Sequence, residues 1–244
     1  MKAMNRQGNT YTVIYSVILV LVVGVVLSLV YQALRPVQEE NIANDTKKQI
    51  LAAARIVATE GESVSDLYDS HITRSFIVNY EGNEVEQDLP AFSVNVAAQV
   101  KLPDNERLLP VYECKTDDGL KYILPVYGAG LWGPIWGYIA FDANGSTIYG
   151  AYFAHQGETP GLGAEIEKPA FSSQFDGKDI FNAEGDFSPI AIVKAGQAPA
   201  GKEYVNAVSG GTITSQGVQK MLANSLEPYT AFLKKINSTA HESE

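Results

Sequence analysis

Residues 135–155, IWGYIAFDANGSTIYGAYFAH, decide the fold. Two runs of aromatic and β-branched residues, 135–141 and 147–155, flank Asp142-Ala143-Asn144-Gly145. Asn-Gly supplies the backbone angles of a tight hairpin, so the two runs are expected to pair as antiparallel strands. Upstream, the apolar run 121–126 reads as another strand. Downstream, 190–193 reads as a buried strand and 202–205 as a further one. Residues 215–235 carry Val218, Met221, Leu222 and Leu226 at helical spacing on one face, with a kink expected at Pro228. From Asn237 the chain is polar and expected to fray. Hairpin strands with flanking helices give an α+β domain, expected over residues 61–236, followed by a polar tail, 237–244.

At the other end, residues 11–34 contain no charged side chain, and the centre reads VIYSVILVLVVGVVLSLVY. A helix of that length spans about 36 Å, enough for a hydrocarbon core of ~30 Å with some tilt. The valines are poor helix formers in water, but in lipid the backbone must satisfy its own hydrogen bonds. Tyr11, Tyr15 and Tyr31 fall near the ends, where aromatic rings favour the interface. A single transmembrane helix is therefore expected after a short tail, 1–10. A cleaved leader would have a shorter apolar run and an A-x-A site, and a pilin-type helix would carry an early glutamate. Arg35-Pro36 is expected to end the membrane helix. A juxtamembrane helix follows within residues 35–60, from Glu39 to about Thr59, closed by Gly61. Basic residues lie on both sides of the span, Lys2 and Arg6 before it and Arg35, Lys47 and Lys48 after it. An N-in orientation with an exported domain is the simpler arrangement.

The net charge is −10, and residues 1–36 hold Lys2, Arg6 and Arg35 but no acid. The rest of the chain is thus strongly acidic, which disfavours nucleic acid and peripheral docking on anionic lipid. One cysteine, Cys114, permits neither an internal disulfide nor a cysteine-rich metal site. His71, His155 and His241 are far apart in sequence, and no metal site is expected.

Three stretches are candidates for chemistry. Ser209-Gly210-Gly211-Thr212-Ile213-Thr214-Ser215 lies between a short strand and a helix. Its glycines permit close backbone approach, and the helix start offers N–H groups and hydroxyls to a phosphate; an ordinary capped helix has the same look. Glu158-Thr159-Pro160-Gly161-Leu162-Gly163 is a turn in which Thr159 can donate, Leu162 can cover an aromatic ring and Gly163 permits close approach; a plain surface loop fits equally. Residues 127–138, YGAGLWGPIWGY, interleave glycine with large apolar side chains, as a packed loop or the wall of a flat pocket would. No G-x-S-x-G elbow or histidine partner makes Ser209 or Thr212 a hydrolytic nucleophile, and no catalytic residue is assigned. A non-redox alternative is an anchored extracytoplasmic binding or scaffold protein.

Taken together these segments resemble a known family. Ser209-Gly210-Gly211-Thr212 is similar to the S/T-G-A-T flavinylation motif, whose last threonine is joined to FMN through a phosphoester. Residues 158–163 match that family's E-T-P-G-L-G segment. The run 130–137, GLWGPIWG, resembles the C subunit of the sodium-translocating NADH:quinone reductase more than the G subunit of the related Rnf complex. Gly211 stands where alanine is more frequent and Asn206 where aspartate often stands. The resemblance implies one extracytoplasmic FMN-binding domain behind an N-terminal membrane helix. It also implies covalent FMN on Thr212, with Thr214 a less favoured acceptor. Ser209, Gly210, Gly211, Thr214, Glu158, Thr159, Gly161, Leu162, Gly163, Leu131 and Trp132 would surround the cofactor. A separate flavin transferase would attach the cofactor from FAD. Partner subunits would oxidise NADH and reduce quinone, and the flavin domain would face the periplasm from the inner membrane.

Overall fold

The computed structural model describes residues 9–241. The expected N-terminal tail up to Gly8, with Lys2 and Arg6, and the last three residues of the expected polar tail lie outside the described residues. By internal packing the chain divides into two units, Met1–Thr46 and Lys47–Glu244.

Helix α1 runs from Asn9 to Ala53 (Asn9–Ala53), with Pro36 inside it. It is the one helix among the described residues long and apolar enough to cross a membrane. The expected break at Arg35-Pro36 is absent. A proline deletes one backbone hydrogen bond and crowds the carbonyl four residues back, at a cost of about 3 kcal/mol, which kinks a helix more readily than it ends one when both flanks favour helix. Good helix formers lie on either side, and an Arg35–Glu39 ion pair at 2.8 Å spans the proline.

The end of α1 also differs from expectation. It stops at Ala53 rather than near Thr59, and Arg55, not Gly61, makes the left-handed closing turn, at φ 62. Ile56 N–H donates to the Leu51 carbonyl and Arg55 N–H to the Ala52 carbonyl, the two bonds of a Schellman cap. A non-glycine residue at that angle is strained by about 1 kcal/mol or more. Contacts of the guanidinium offset it: an ion pair with Asp176 at 2.9 Å and stacking over Tyr149 at 4.5 Å.

Beyond this cap come α2 (Val64–His71), β1 (Ile72–Val78), the single turn α3 (Val96–Gln99), β2 (Leu109–Thr116), β3 (Gly119–Ala129), β4 (Pro134–Asp142) and β5 (Ile148–His155). Strands β1 to β5 form one antiparallel sheet in sequence order. The expected hairpin is β4–β5, and the run at 121–126 is the middle of the longer β3. Strands β1 and β2 were not anticipated, although Asp118-Gly119, with Gly119 at φ 98, is a hairpin signal between β2 and β3. After a short helix α4 (Pro169–Ser172), β6 (Ala191–Val193) and β7 (Tyr204–Asn206) pair in parallel. Helix α5 (Thr212–Leu226) begins three residues before the expected start. A 3₁₀ turn, Glu227–Tyr229, holds Pro228, and α6 (Thr230–His241) continues to the end of the described residues. The backbone past Asn237 is thus helical, where fraying was expected.

Both faces of the sheet are covered. Leu124, Val126, Ile135, Ile139, Phe141 and Phe153 pack with Val218, Met221 and Leu222 of α5 and Leu233 of α6. On the opposite face Tyr112, Cys114, Ile123 and Ala140 pack with Ile50, Leu51 and Ala53. Alternation along β4 sends Ile135, Ile139 and Phe141 to one face and Ala140 to the other, as a pleated strand buried on both sides requires. Two glycines set how closely α5 lies on β3. A Cβ at Gly217 would strike the Ala129 carbonyl oxygen, and one at Gly128 would lie 2.7 Å from Met221 Cβ.

Replacing an exposed helix glycine ordinarily gains up to about 1 kcal/mol in helix propensity. At 217 the collision is with backbone, so Gly217→Val should instead lower stability by about 1–3 kcal/mol, read from chemical unfolding of the full chain. Burial pushes the Cys114 thiol up to about 11. The native chain at about pH 8 should therefore resist thiol alkylation that labels the denatured chain readily, since only the thiolate reacts.

Candidate cofactor site

Three loops meet at the start of α5. The first joins β3 to β4, where Gly130 N–H donates to the Gly133 carbonyl at 2.8 Å and Leu131 and Trp132 project outward. The second leaves β5 at His155. Glu158 N–H donates to His155 Nδ1 at 3.1 Å, and the Thr159 carbonyl accepts from both Leu162 and Ala164 N–H, closing the turn through Gly161 at φ 76. The third leaves β7. Gly211 N–H donates to the Val208 carbonyl, Val208 N–H donates to Ser215 Oγ at 3.0 Å, and Gly210 takes φ 73.

The Glu158 carboxylate ties these loops together. It is 4 % exposed. Oε1 accepts from Trp132 N–H at 2.8 Å and Oε2 from the Thr214 hydroxyl at 2.5 Å. A Cβ at Gly130 would strike Oε1, and one at Gly163 would strike Oε2. The two glycines therefore leave the space that the carboxylate fills.

Leu131, Trp132, Glu158, Thr159, Leu162, Gly163, Gly210, Gly211, Thr212 and Thr214 line one cavity of about 370 Å³, together with Ile213. Ten of the twelve sequence-selected residues thus share a single space. The other two, Ser209 and Gly161, face a neighbouring depression beside Asn206 and Gln174. Within the first cavity Leu162 lies close against Gly210: a Cβ at 210 would sit 2.5 Å from Leu162 Cδ2. Trp136, from the same glycine-rich stretch as Leu131, is not at the cavity and donates through Nε1 to Gln49. Ile213 and His155 were not anticipated. Ile213 was detectable as an apolar residue off the buried stripe of α5. His155 had no signal beyond lying three residues before Glu158.

The cavity has two chemical characters. Leu131, Trp132, Leu162 and Ile213 remain 48, 69, 43 and 56 % exposed, an unusual gathering of open apolar side chains that forms its rim. Opposite lies the N-terminus of α5. The first intrahelical bond runs from Ser215 N–H to the Gly211 carbonyl, so the N–H groups of Thr212, Ile213 and Thr214 precede it. No side chain caps this end. Free amides and the positive end of the helix dipole suit an anion. The two threonines differ: Thr214 is 2 % exposed and its hydroxyl is given to Glu158, whereas Thr212 is exposed and its hydroxyl has no hydrogen bond among the described residues.

The FMN-binding domain family matches residues 130–227, which contain every residue lining the cavity. The C subunit of the Na(+)-translocating NADH-quinone reductase of Vibrio anguillarum is 34% identical over 233 residues, covering 89% of this chain and 90% of that protein. The Yersinia pestis counterpart is 32% identical over 264 residues, covering 98% and 97%. The crystal structure of the C subunit from Parabacteroides distasonis superposes with a TM-score of 0.76 at 48% identity, over 82% of this chain and 96% of that one. These relatives favour the reductase's C subunit over the Rnf G subunit. The chain belongs to the C-subunit family of the Na(+)-translocating NADH-quinone reductase.

Proposed function

We propose that Thr212 carries FMN as a phosphoester, and that the chain relays electrons through this flavin between partner subunits of the membrane-bound reductase. One contrast carries the assignment. Within a single cavity Thr212 offers a free hydroxyl beside unbonded helix amides, while the Thr214 hydroxyl is committed to Glu158.

The residues present fit the group. The amides of Thr212, Ile213 and Thr214 would meet the phosphate, a diester with one negative charge once joined to the threonine oxygen. Gly210 and Gly211 let the backbone come close, as a Cβ at either would be crowded by Leu162 or Val208. The apolar rim of Leu131, Trp132, Leu162 and Ile213 would flank the ring, with Thr159 and loop amides available to its polar edge. FMN, when bound, supplies the redox chemistry; this chain binds it, orients it and excludes part of the solvent.

Attachment requires a donor. A separate flavin transferase using FAD and Mg²⁺ would form the bond from Thr212 Oγ to the phosphorus of the FMN half. The pyrophosphate bond would break, AMP would leave and the hydroxyl proton would be released. Ser209, on the far side of the Gly210 turn, would serve recognition of the loop rather than contact with the ring. Helix α1 anchors the chain as a single pass, and the flavin domain would face the periplasm from the inner membrane. No nucleotide fingerprint suggests NADH oxidation on this chain, so electrons would enter and leave through other subunits.

With the transferase present, Thr212→Ala should abolish flavin fluorescence of the denatured chain in a gel and the added mass of the 209–215 peptide. Thr214→Ala should retain both. The opposite pattern would move the attachment point. Leu131→Ala and Leu162→Ala should keep the covalent bond but shift the flavin absorption bands, because they remove cover from the ring alone.

A further inference from the structure

Glu158 is the single ionisable residue among those lining the cavity, and among the described residues no lysine, arginine or histidine forms an ion pair with its carboxylate. Its partners are neutral donors: the Trp132 N–H and the Thr214 hydroxyl. Both oxygens act as hydrogen-bond acceptors. At 4 % exposure little water reaches it to spread its charge. Two glycines, Gly130 and Gly163, are shaped around it, so the charge is held at one fixed point of the wall.

We propose that the Glu158 carboxylate sets the reduction potential of the flavin and holds it low. This inference rests on the reading of Thr212 as the FMN carrier. Each electron accepted by a flavin adds one negative charge unless a proton accompanies it, and a fixed anion in a poorly hydrated wall disfavours that added charge. The helix N-terminus acts the other way, but a phosphoester at Thr212 would engage it. That leaves the carboxylate as the uncompensated charge of the pocket. Glu158 is thus a tuning residue as well as a positioning one.

The test is a spectroelectrochemical titration of the full-length, flavin-loaded chain in detergent. Glu158→Gln, which keeps the acceptor for Trp132, should shift the flavin midpoint to a more positive potential at unchanged flavin content. Glu158→Asp, which keeps the charge, should remain near the wild-type value. A midpoint that stays put or falls in Glu158→Gln, or that moves as far in Glu158→Asp, overturns the proposal. If Glu158→Gln does not fold, Ile213→Glu carries the test from the exposed rim. A second carboxylate there should lower the midpoint further, and an unchanged or raised value overturns the idea that charge in the cavity wall governs the flavin. A wild-type chain without covalent flavin overturns the reading of Thr212 and this inference together. A flavin on Thr212 that is indifferent to position 158 overturns this inference alone.

Discussion

A buried carboxylate with two neutral donors is expensive to assemble. Removing it from water costs several kcal/mol, while each hydrogen bond to a charged group returns about 1.5–3 kcal/mol. The Glu158 interaction is therefore near break-even as a source of stability. Its structural return is positional: Trp132 on the β3–β4 loop and Thr214 on α5 are both fixed to one side chain on the β5 exit loop. Segments that are remote in sequence are thereby brought around one cavity.

The rest of the domain serves that meeting point. The antiparallel sheet delivers the β3–β4 turn and the β5 exit side by side, because β4 pairs with both of its neighbours. Helix α5 approaches β3 closely only because positions 128 and 217 lack side chains. Its first turn then reaches the loops with its amides free. The same placement separates two threonines that differ by only two positions in sequence. One faces the cavity with an open hydroxyl, and the other turns inward to the carboxylate.

Much of this was legible in the sequence, and the failures have identifiable causes. The Asn144-Gly145 hairpin and the buried stripe of α5 were readable because short-range periodicity and turn chemistry determine them. The three candidate segments stood out because glycine, hydroxyl and apolar residues cluster in them, but that composition fits ordinary loops equally, and it was the family resemblance that tied them to a cofactor. Pro36 misled because its local preference was outweighed by the helical sequence on either side. Gly61 misled because Arg55 could adopt the left-handed turn once Asp176 and Tyr149 held its guanidinium. Those partners lie about a hundred residues away, and no local pattern announces them. The commitment of Thr214 to Glu158 was equally hidden, as was the way Ser209 and Thr212 face different spaces.

The openness of the cavity bears on why a covalent bond is useful there. A flavin held by noncovalent contacts alone needs extensive burial, and drug-sized ligands typically have most of their surface covered. Here the rim side chains remain largely exposed, which limits the affinity the cavity can supply by itself. The same exposure would allow a partner's redox group to approach the ring edge. Enclosure and access are opposed for any noncovalent carrier. A phosphoester at Thr212 would remove the opposition: dissociation is prevented by one bond, and the walls are then free to orient the ring and adjust its potential instead of retaining it. On this reading the open rim and the free hydroxyl are two parts of one solution, and the fixed carboxylate behind them would act on the flavin's energy rather than on its binding.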